Sequence, residues 1–538
     1  MIKRTIIFRI GALSLLVGLA IFFVLPKNKA AKGGKEYGGT LRFAIGSKLY
    51  TLNPLTSNSL DQQRLDALLF DPLLIASANK NGWRPFLAKR VQVTSGGKKL
   101  IIQLKDHIYF HSDPCFRFHS RQLSAEDLEY TLSEALSKKP NNQLEPLLHG
   151  LIKSMHIRDR FTLELVLNDA YTHIFHILTH PGLGIRSKRA AQYYGNNIDW
   201  HPVGTGAFCL DHASANEFVF QKNEDYWRHD NHGNRLPFLN QISVIRQVPP
   251  SKEHVLFSQN QIDLLFDLPL NQLNQAFGSL NDAQKGKNEL HDVYSKPSSK
   301  IHYLGFNTQR FPFTNELVRK AFLYAIDVDY LCNVVLKGEG RPVKNHFIPE
   351  QSGYVNPLLK KQEGWVYQPS FARQLLLEST IKLKQIPLYV GASPNSTPAL
   401  WCQELAKMLQ KNLGIRVRLI YGSAESKNKA IKSGKALFWR AGWVGDYPGP
   451  ESYLKIYTSK TDCPSARYKH FYNACVVAKT NTQQQQFANR CEQELILHTY
   501  LIPIYTEDFF VIYKLRARNF TMNRSGVVDF ANVYLKEL

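Results

Sequence analysis

Three stretches of this 538-residue sequence carry side chains whose types and spacing could do chemistry. In HIFHILTH, His173, His176 and His180 fall at i, i+3 and i+7, one face of a helix, a spacing that can present imidazoles to a metal. The alternative is a helix packed on a sheet with partly exposed histidines, and no acidic partner beside them favours the metal. In HSDPCFRFH, His111, Cys115 and His119 are ligand types, but a proline and four-residue gaps set them apart from common closed zinc sites. In RAGWVGDYPGP (440–450), one carboxylate, Asp446, stands between Trp443 and Tyr447 in a segment with two prolines and three glycines. A carboxylate flanked by flat apolar rings can receive an ammonium group. Arg440, six residues earlier, can meet a carboxylate in bidentate fashion. A ligand with both groups is an amino acid or a peptide. The competing reading is an Asp that caps a turn and binds nothing.

Other signatures are missing. VGTGAF (203–208) holds a GxG but lacks the length and the strand-to-helix setting of a dinucleotide loop, so it reads as a tight structural turn. No GxSxG, HExxH or acid pair defines a hydrolase. The sequence gives no ground for an enzyme or for a cofactor.

The elements that would position these residues alternate between strand and helix. TLRFAIG (40–46), KKLIIQLKD (98–106), FTLELVLN (161–168), EFVFQKN (217–223) and NQISVIRQV (240–248) show the period of half-buried strands. SAEDLEYTLSEAL (124–136) reads as a helix with a Ser cap and acids in its first turn. AYTHIFHILTH (170–180) and LVRKAFLYAID (317–327) also read as helices, and LDALLFDPLL (65–74) only as a short apolar run. In the second half IPLYVG, ALWCQELAKMLQKNLG and IRVRLIYG follow one another as strand, helix and strand, which argues for an α/β lobe. A last helix (483–501) and strand (502–514) complete the pattern.

Composition sets the setting. The chain is long enough for two or three domains, with 44% hydrophobic and 12% aromatic residues. Its formal net charge is +23, of which residues 1–32 supply +6. The remaining basic residues are scattered and form no nucleic-acid arm, so no nucleic-acid partner is expected. MIKRTIIFR followed by the sixteen apolar residues Ile10–Leu25 reads as an export signal, either removed or kept as a membrane anchor over residues 6–25. Seven cysteines are widely spaced without a CxxC, and a pair such as Cys463 with Cys475 or Cys491 cannot be read from spacing.

The order of motifs resembles the family 5 solute-binding proteins of ABC importers, in particular the oligopeptide-binding branch. GGTLRFAIGSKLYTLNP matches the family's opening strand and Leu-Asn-Pro turn. PVGTGAF followed by NEDYW (223–227) matches its middle signature, and FNTQRFPFTNELVRKAFLYAID (306–327) its hallmark. RAGWVGDYPGPESYL and the terminal VVDFANVYLKEL complete a resemblance that spans residues 38–538. It implies an α/β two-lobed clamp, the type II, cluster C form of the periplasmic binding proteins, with an extra subdomain. Lobe I is expected over 38–70, 198–296 and 515–538, the inserted subdomain over 71–197, and lobe III over 297–514. It further implies that Asp446 holds a peptide's α-ammonium and that Arg440 meets the carboxylate of a short peptide. Main-chain groups of Gly442 and Val444 on one side, and of Asn58 and Leu60 on the other, would bind the peptide backbone. Trp443 and Tyr447 would shape the pocket. The expected partners are a peptide, a membrane permease and its ATPase subunits; the protein is expected to be monomeric and periplasmic. DYPGP lies close to the dipeptide binders' Asp-Tyr-Pro-Asp-Pro, so a dipeptide, a murein peptide or a sensing role stays an alternative.

Overall fold

The structure, a computed structural model, describes residues 29–49, 51–57, 59–77, 82–139, 142–171, 173–266, 268, 291–338, 340–360, 364–445, 447, 449–457, 464–523 and 526–536. The apolar run Ile10–Leu25 therefore lies outside the described residues, as do Asn58, Asp446 and Cys463. Among the described residues, no helix is long and apolar enough to cross a membrane.

The first half opens with strand β1 (Thr40–Ala44) and helix α1 (Leu60–Leu69), whose Ser59 cap accepts from the Gln62 N–H. The sequence showed α1 only as an apolar run because its buried face mixes Leu65, Leu68 and Leu69 with Gln62, Arg64 and Asp66. Strands β2 (Ala88–Thr94) and β3 (Lys99–Leu104), helix α2 (Ala125–Ala135), and strands β4 (Ile152–Asp159) and β5 (Thr162–Leu167) follow. They form a separate antiparallel sheet in the order β2-β3-β5-β4. Leu128 and Leu132 of α2 join Leu100, Ile102, Leu163 and Leu165 in one core, and a Ser124–Asp127 capping box fixes the start of the helix.

The chain then returns to the sheet that holds β1. Strands β6 (Phe208–Ala213), β7 (Glu217–Lys222), β8 (Gln241–Ile245), β9 (Leu264–Phe266) and β10 (His291–Phe306) come next. Helix α3 (Glu316–Tyr324), strand β11 (Gln385–Tyr389), helix α4 (Thr397–Leu413) and strand β12 (Arg416–Ile420) make up the second α/β unit. Strand β13 (Phe438–Val444), helix α5 (Asn481–Leu497) and strand β14 (Leu501–Lys514) complete it. The strand order is β6-β7-β8-β1-β9-β14-β10-β13-β11-β12, with Gly340–Pro342 paired to β14 off this path.

Two strands therefore link the halves of one sheet. From His291↔Lys514 to Pro297↔Asp508, β10 and β14 run beside β9; after a register shift they continue from Ile301↔Thr506 beside β13. Val511 belongs to the core of Phe43, Phe218 and Ile242, whereas Ile502 and Ile504 belong to the core of Phe306, Phe322 and Phe438. A pair of strands carrying two cores is the element about which two lobes can turn.

The family-like motifs have structural work within these cores. Gly204 and Gly206 bring their loop onto the end of α1, and the Gly206 N–H donates to the Leu69 carbonyl at 3.0 Å. A Cβ at Gly204 would lie 2.0 Å from the Leu69 oxygen. Gly204→Ala is therefore expected to lower stability by about 2–3 kcal/mol, the cost of forcing backbone apart in a close-packed core, and thermal denaturation checks it. Asn223 donates to the Gly206 carbonyl, and Tyr226 and Trp227 donate to Asp71. The two middle motifs thus lock to each other.

Candidate functional site

A cleft of about 1270 Å³ separates α1 and its neighbours from the middle of β10 and β14 and the end of β13. On one wall, Leu60, Gln63 and Ala67 follow the i, i+3, i+7 spacing of a single helix face, and Phe70 stands just past the helix end. On the other stand Lys300 of β10, Val444 and Gly445 at the end of β13, Tyr447 and Glu507. The volume exceeds that of an ordinary small-molecule pocket, roughly 300–1,000 Å³.

The stretch that read as a turn is a strand in its first half. Phe438–Val444 pairs antiparallel with β10, from Phe306↔Phe438 to Lys300↔Val444. Its other neighbour, β11, registers only at Tyr389↔Trp439. Beyond that point β13 has no second strand among the described residues. The Arg440 carbonyl accepts from the Lys427 ammonium at 3.1 Å on that side. Main-chain groups alternate in direction along a strand, so those of Gly442 and Val444 also point to the unpaired edge.

Leu60, Val444 and Tyr447 thus line the same cleft, with Val444 47% exposed. Tyr447 also packs on the core of the four-stranded sheet β2-β3-β5-β4, its ring 6.2 Å from that of His173. Trp443 turns to the other face, where its indole N–H donates to the Ser452 carbonyl and its ring packs on the core that holds Tyr453 and Tyr468. Arg440 lies behind the wall: it is 8% exposed, and its Nη2 donates to Nδ1 of His302 at 2.7 Å. Nδ1 must then carry no proton, so His302 is a neutral imidazole, in line with burial pushing its pKa down to about 4. Its Nε2 donates to Glu507 at 2.8 Å, and Lys300 donates to the other oxygen of Glu507 at 2.7 Å. Burial alone would raise Glu507, but His302 and Lys300 outweigh it and hold the carboxyl well below the usual range. Lys300 and Glu507 line the cleft beside Val444, whereas Arg440 does not reach it. The sequence carried a signal for Glu507: an acidic pair, Glu507-Asp508, in the middle of the apolar strand IPIYTEDFFVIYK.

The histidine run does not form one helical face. Only Ile174–Ile177 is helical; His173 is buried before it, and His180 lies beyond it and accepts from the Gly182 N–H. The His111 ring is engaged by the Gly206 carbonyl and the Gly204 N–H. Among the described residues, no three His, Cys, Asp or Glu side chains are grouped so as to hold a metal ion. Cys475 and Cys491 are buried, and their thiols donate to the Gln484 and Tyr468 carbonyls.

This architecture has a known class. Residues 82–464 match the sequence profile of the bacterial extracellular solute-binding proteins, family 5 (middle), and the chain belongs to that family. It is thus a solute-binding protein of ABC importers, with the two-lobed α/β fold of the type II periplasmic binding proteins; the family's members bind substrates. The glutathione-binding protein GsiB of Salmonella typhimurium is 24% identical over 407 residues, 74% of each chain. HbpA2 of Haemophilus parasuis superposes with a TM-score of 0.78 at 19% identity, covering 93% of this chain and 100% of that one. DppA of Helicobacter pylori, solved with the peptide STSA, gives 0.71 at 20% identity, covering 93% and 99%. The murein tripeptide binding protein MppA in its open form gives 0.73 at 19%, covering 95% and 99%.

Proposed function

We propose that the protein captures short peptides in this cleft and delivers them to the membrane permease of an ABC importer, whose ATPase subunits supply the energy. The observation that carries this reading is the unpaired edge of β13, with the main-chain groups of Gly442 and Val444 directed away from β10. An extended peptide adds to such an edge as a further strand, a mode tolerant of side-chain sequence. Asp446 would hold the α-ammonium, and the segment of Asn58 and Leu60 would close on the far side. Trp443 and Tyr447 brace the segment. Arg440 supports the same face through His302 and Glu507, and would meet a ligand carboxylate only after giving up its bond to His302. The lobes would comprise 38–70, 198–296 and 515–538, the insert 71–197, and the second lobe 297–514. They would close about the register shift between Pro297 and Ile301. The chain would act in the periplasm as a monomer, released or held by residues 6–25. The ligands named for its relatives, glutathione, STSA and a murein tripeptide, are all short peptides or peptide-like, which supports the class without fixing length.

Native mass spectrometry of the protein expressed without residues 1–32 tests the reading. Bound masses fitting peptides of a few residues support it; a discrete non-peptide mass, or no uptake from a peptide library, overturns it. Within the peptide reading, Asp446→Ala is expected to weaken binding about 100-fold, since removing one member of a desolvated charge pair costs about 2–5 kcal/mol. Unchanged peptide affinity in that variant, measured by calorimetry, would remove Asp446 from the site.

A further inference from the structure

Among the described residues, one carboxylate in the cleft wall has no hydrogen-bond partner. Asp66 of α1 is 2% exposed and lines the cleft beside the stripe of Leu60, Gln63, Ala67 and Phe70. Neither of its carboxylate oxygens accepts a hydrogen bond, and the hydroxyl of the neighbouring Ser57 is likewise unpaired. The nearest basic residue on the same helix, Arg64, is turned to Asp61 and lies over the Phe266 ring at 4.0 Å. The other cleft carboxylates are committed. Trp227 donates to Asp71, and Lys300 to Glu507. Arg341 pairs with Asp508, and Arg228 with Asp529. A buried polar group without a partner is rare in folded proteins and calls for an explanation.

We infer that Asp66, with Ser57 beside it, is a receptor for a cationic side chain of the bound peptide, the ammonium or guanidinium of a basic residue. The inference rests on the peptide reading above and adds a preference to it. Asp66 is six residues from Leu60, hence about 9 Å along the helix at 1.5 Å per residue. At about 3.3 Å per residue, that is the span of some three residues of extended chain. The receptor would thus meet a side chain some three residues along an extended peptide from the one beside Leu60. The burial that makes an unpaired carboxylate unfavourable makes a matched cation count for more, because few solvent dipoles screen it. Burial pushes the Asp66 carboxyl up to about 8; a ligand cation would restore the charged form.

The test uses the three tripeptides that carry one lysine among alanines, each against its counterpart with norleucine, which keeps the apolar stem and lacks the charge. Affinities are measured by calorimetry on the wild type and on Asp66→Asn. In the wild type, lysine at one position is expected to bind at least tenfold tighter than norleucine, and Asp66→Asn should abolish that ratio while leaving norleucine affinity unchanged. The unchanged norleucine affinity doubles as the check that the variant is folded. A lysine preference that survives in Asp66→Asn, or equal binding of both peptides by the wild type, overturns the inference and leaves the peptide reading standing. Failure of the wild type to bind either series overturns both.

Discussion

Replacing Arg319 by methionine is expected to lower the folding stability by about 4 kcal/mol, in the range for losing a buried, fully bonded charge. Arg319 sits on α3, within the VRKAF of the hallmark segment, and is 4% exposed. Its guanidinium donates to the carbonyls of Phe313 at 2.7 Å, His498 at 2.8 Å and Thr499 at 3.0 Å. The last two belong to the turn that ends α5 and begins β14, where Thr499 has a left-handed φ of 48°. Carbonyls at a helix C-terminus have no partner within the helix, and a cation there also meets the negative end of its dipole. Methionine fills much of the volume but supplies no donor, so these oxygens stay buried and unpaired. Lysine should recover only part of the loss, because a single ammonium cannot reproduce the planar fork. Denaturant midpoints for the wild type and both variants give the order wild type, lysine, methionine; a methionine variant within 1 kcal/mol of the wild type would contradict it. Peptide affinity well below the transition should stay unchanged, since Arg319 is remote from the cleft.

The same segment shows how far the sequence could be read. Its residues marked the family resemblance without giving Arg319 a role, and Arg319 proves to be a clamp between a helix and the strand that bears Glu507. Strands such as Thr40–Ala44 and Glu217–Lys222 were legible because one face is buried and the alternation survives in the residues themselves. Helix α4 was legible from its period and from Gly414, which takes a left-handed φ of 69° at its end. The helix expected across 170–180 shrank to Ile174–Ile177, because Pro181 and the cap made by His180 start a new turn. Strand β13 was hidden by its composition: glycine, arginine and two tryptophans in FWRAGWV give no clean alternation, and only the pairing with β10 makes the strand. Leu60, far in sequence from Val444 and Tyr447, meets them at one cleft. Asp66 gave no signal at all. An acid in a helix looks like a solvated position, and its lack of a partner exists only once α1 has been packed into the cleft wall.

That partnerless state has a thermodynamic signature, with Asp66→Asn expected to be more stable than the wild type above neutral pH. The folded-state pKa of Asp66 is raised from its ordinary value of 3.8 to about 8, burial being the main cause. A group raised in this way contributes fully to stability below its unfolded value, and the contribution is lost as pH climbs towards the folded value. Between the two, the wild type should lose about 1.4 kcal/mol per pH unit relative to a residue that cannot ionise, about 4 kcal/mol by pH 7. Asp71 and Glu451, raised by burial to about 6 and about 7, impose trends of their own, but these are common to both proteins and cancel in the difference. Denaturant midpoints at several pH values from 4 to 9 should show the two proteins converging near pH 4, diverging to pH 8 and running parallel above it. A difference independent of pH would mean that Asp66 is paired in solution. Adding the preferred lysine peptide at pH 8 should raise the melting temperature of the wild type more than that of Asp66→Asn, because the ligand ammonium relieves a cost that only the carboxylate carries. Equal shifts in the two proteins would separate the buried charge from the ligand and assign Asp66 to the fold alone.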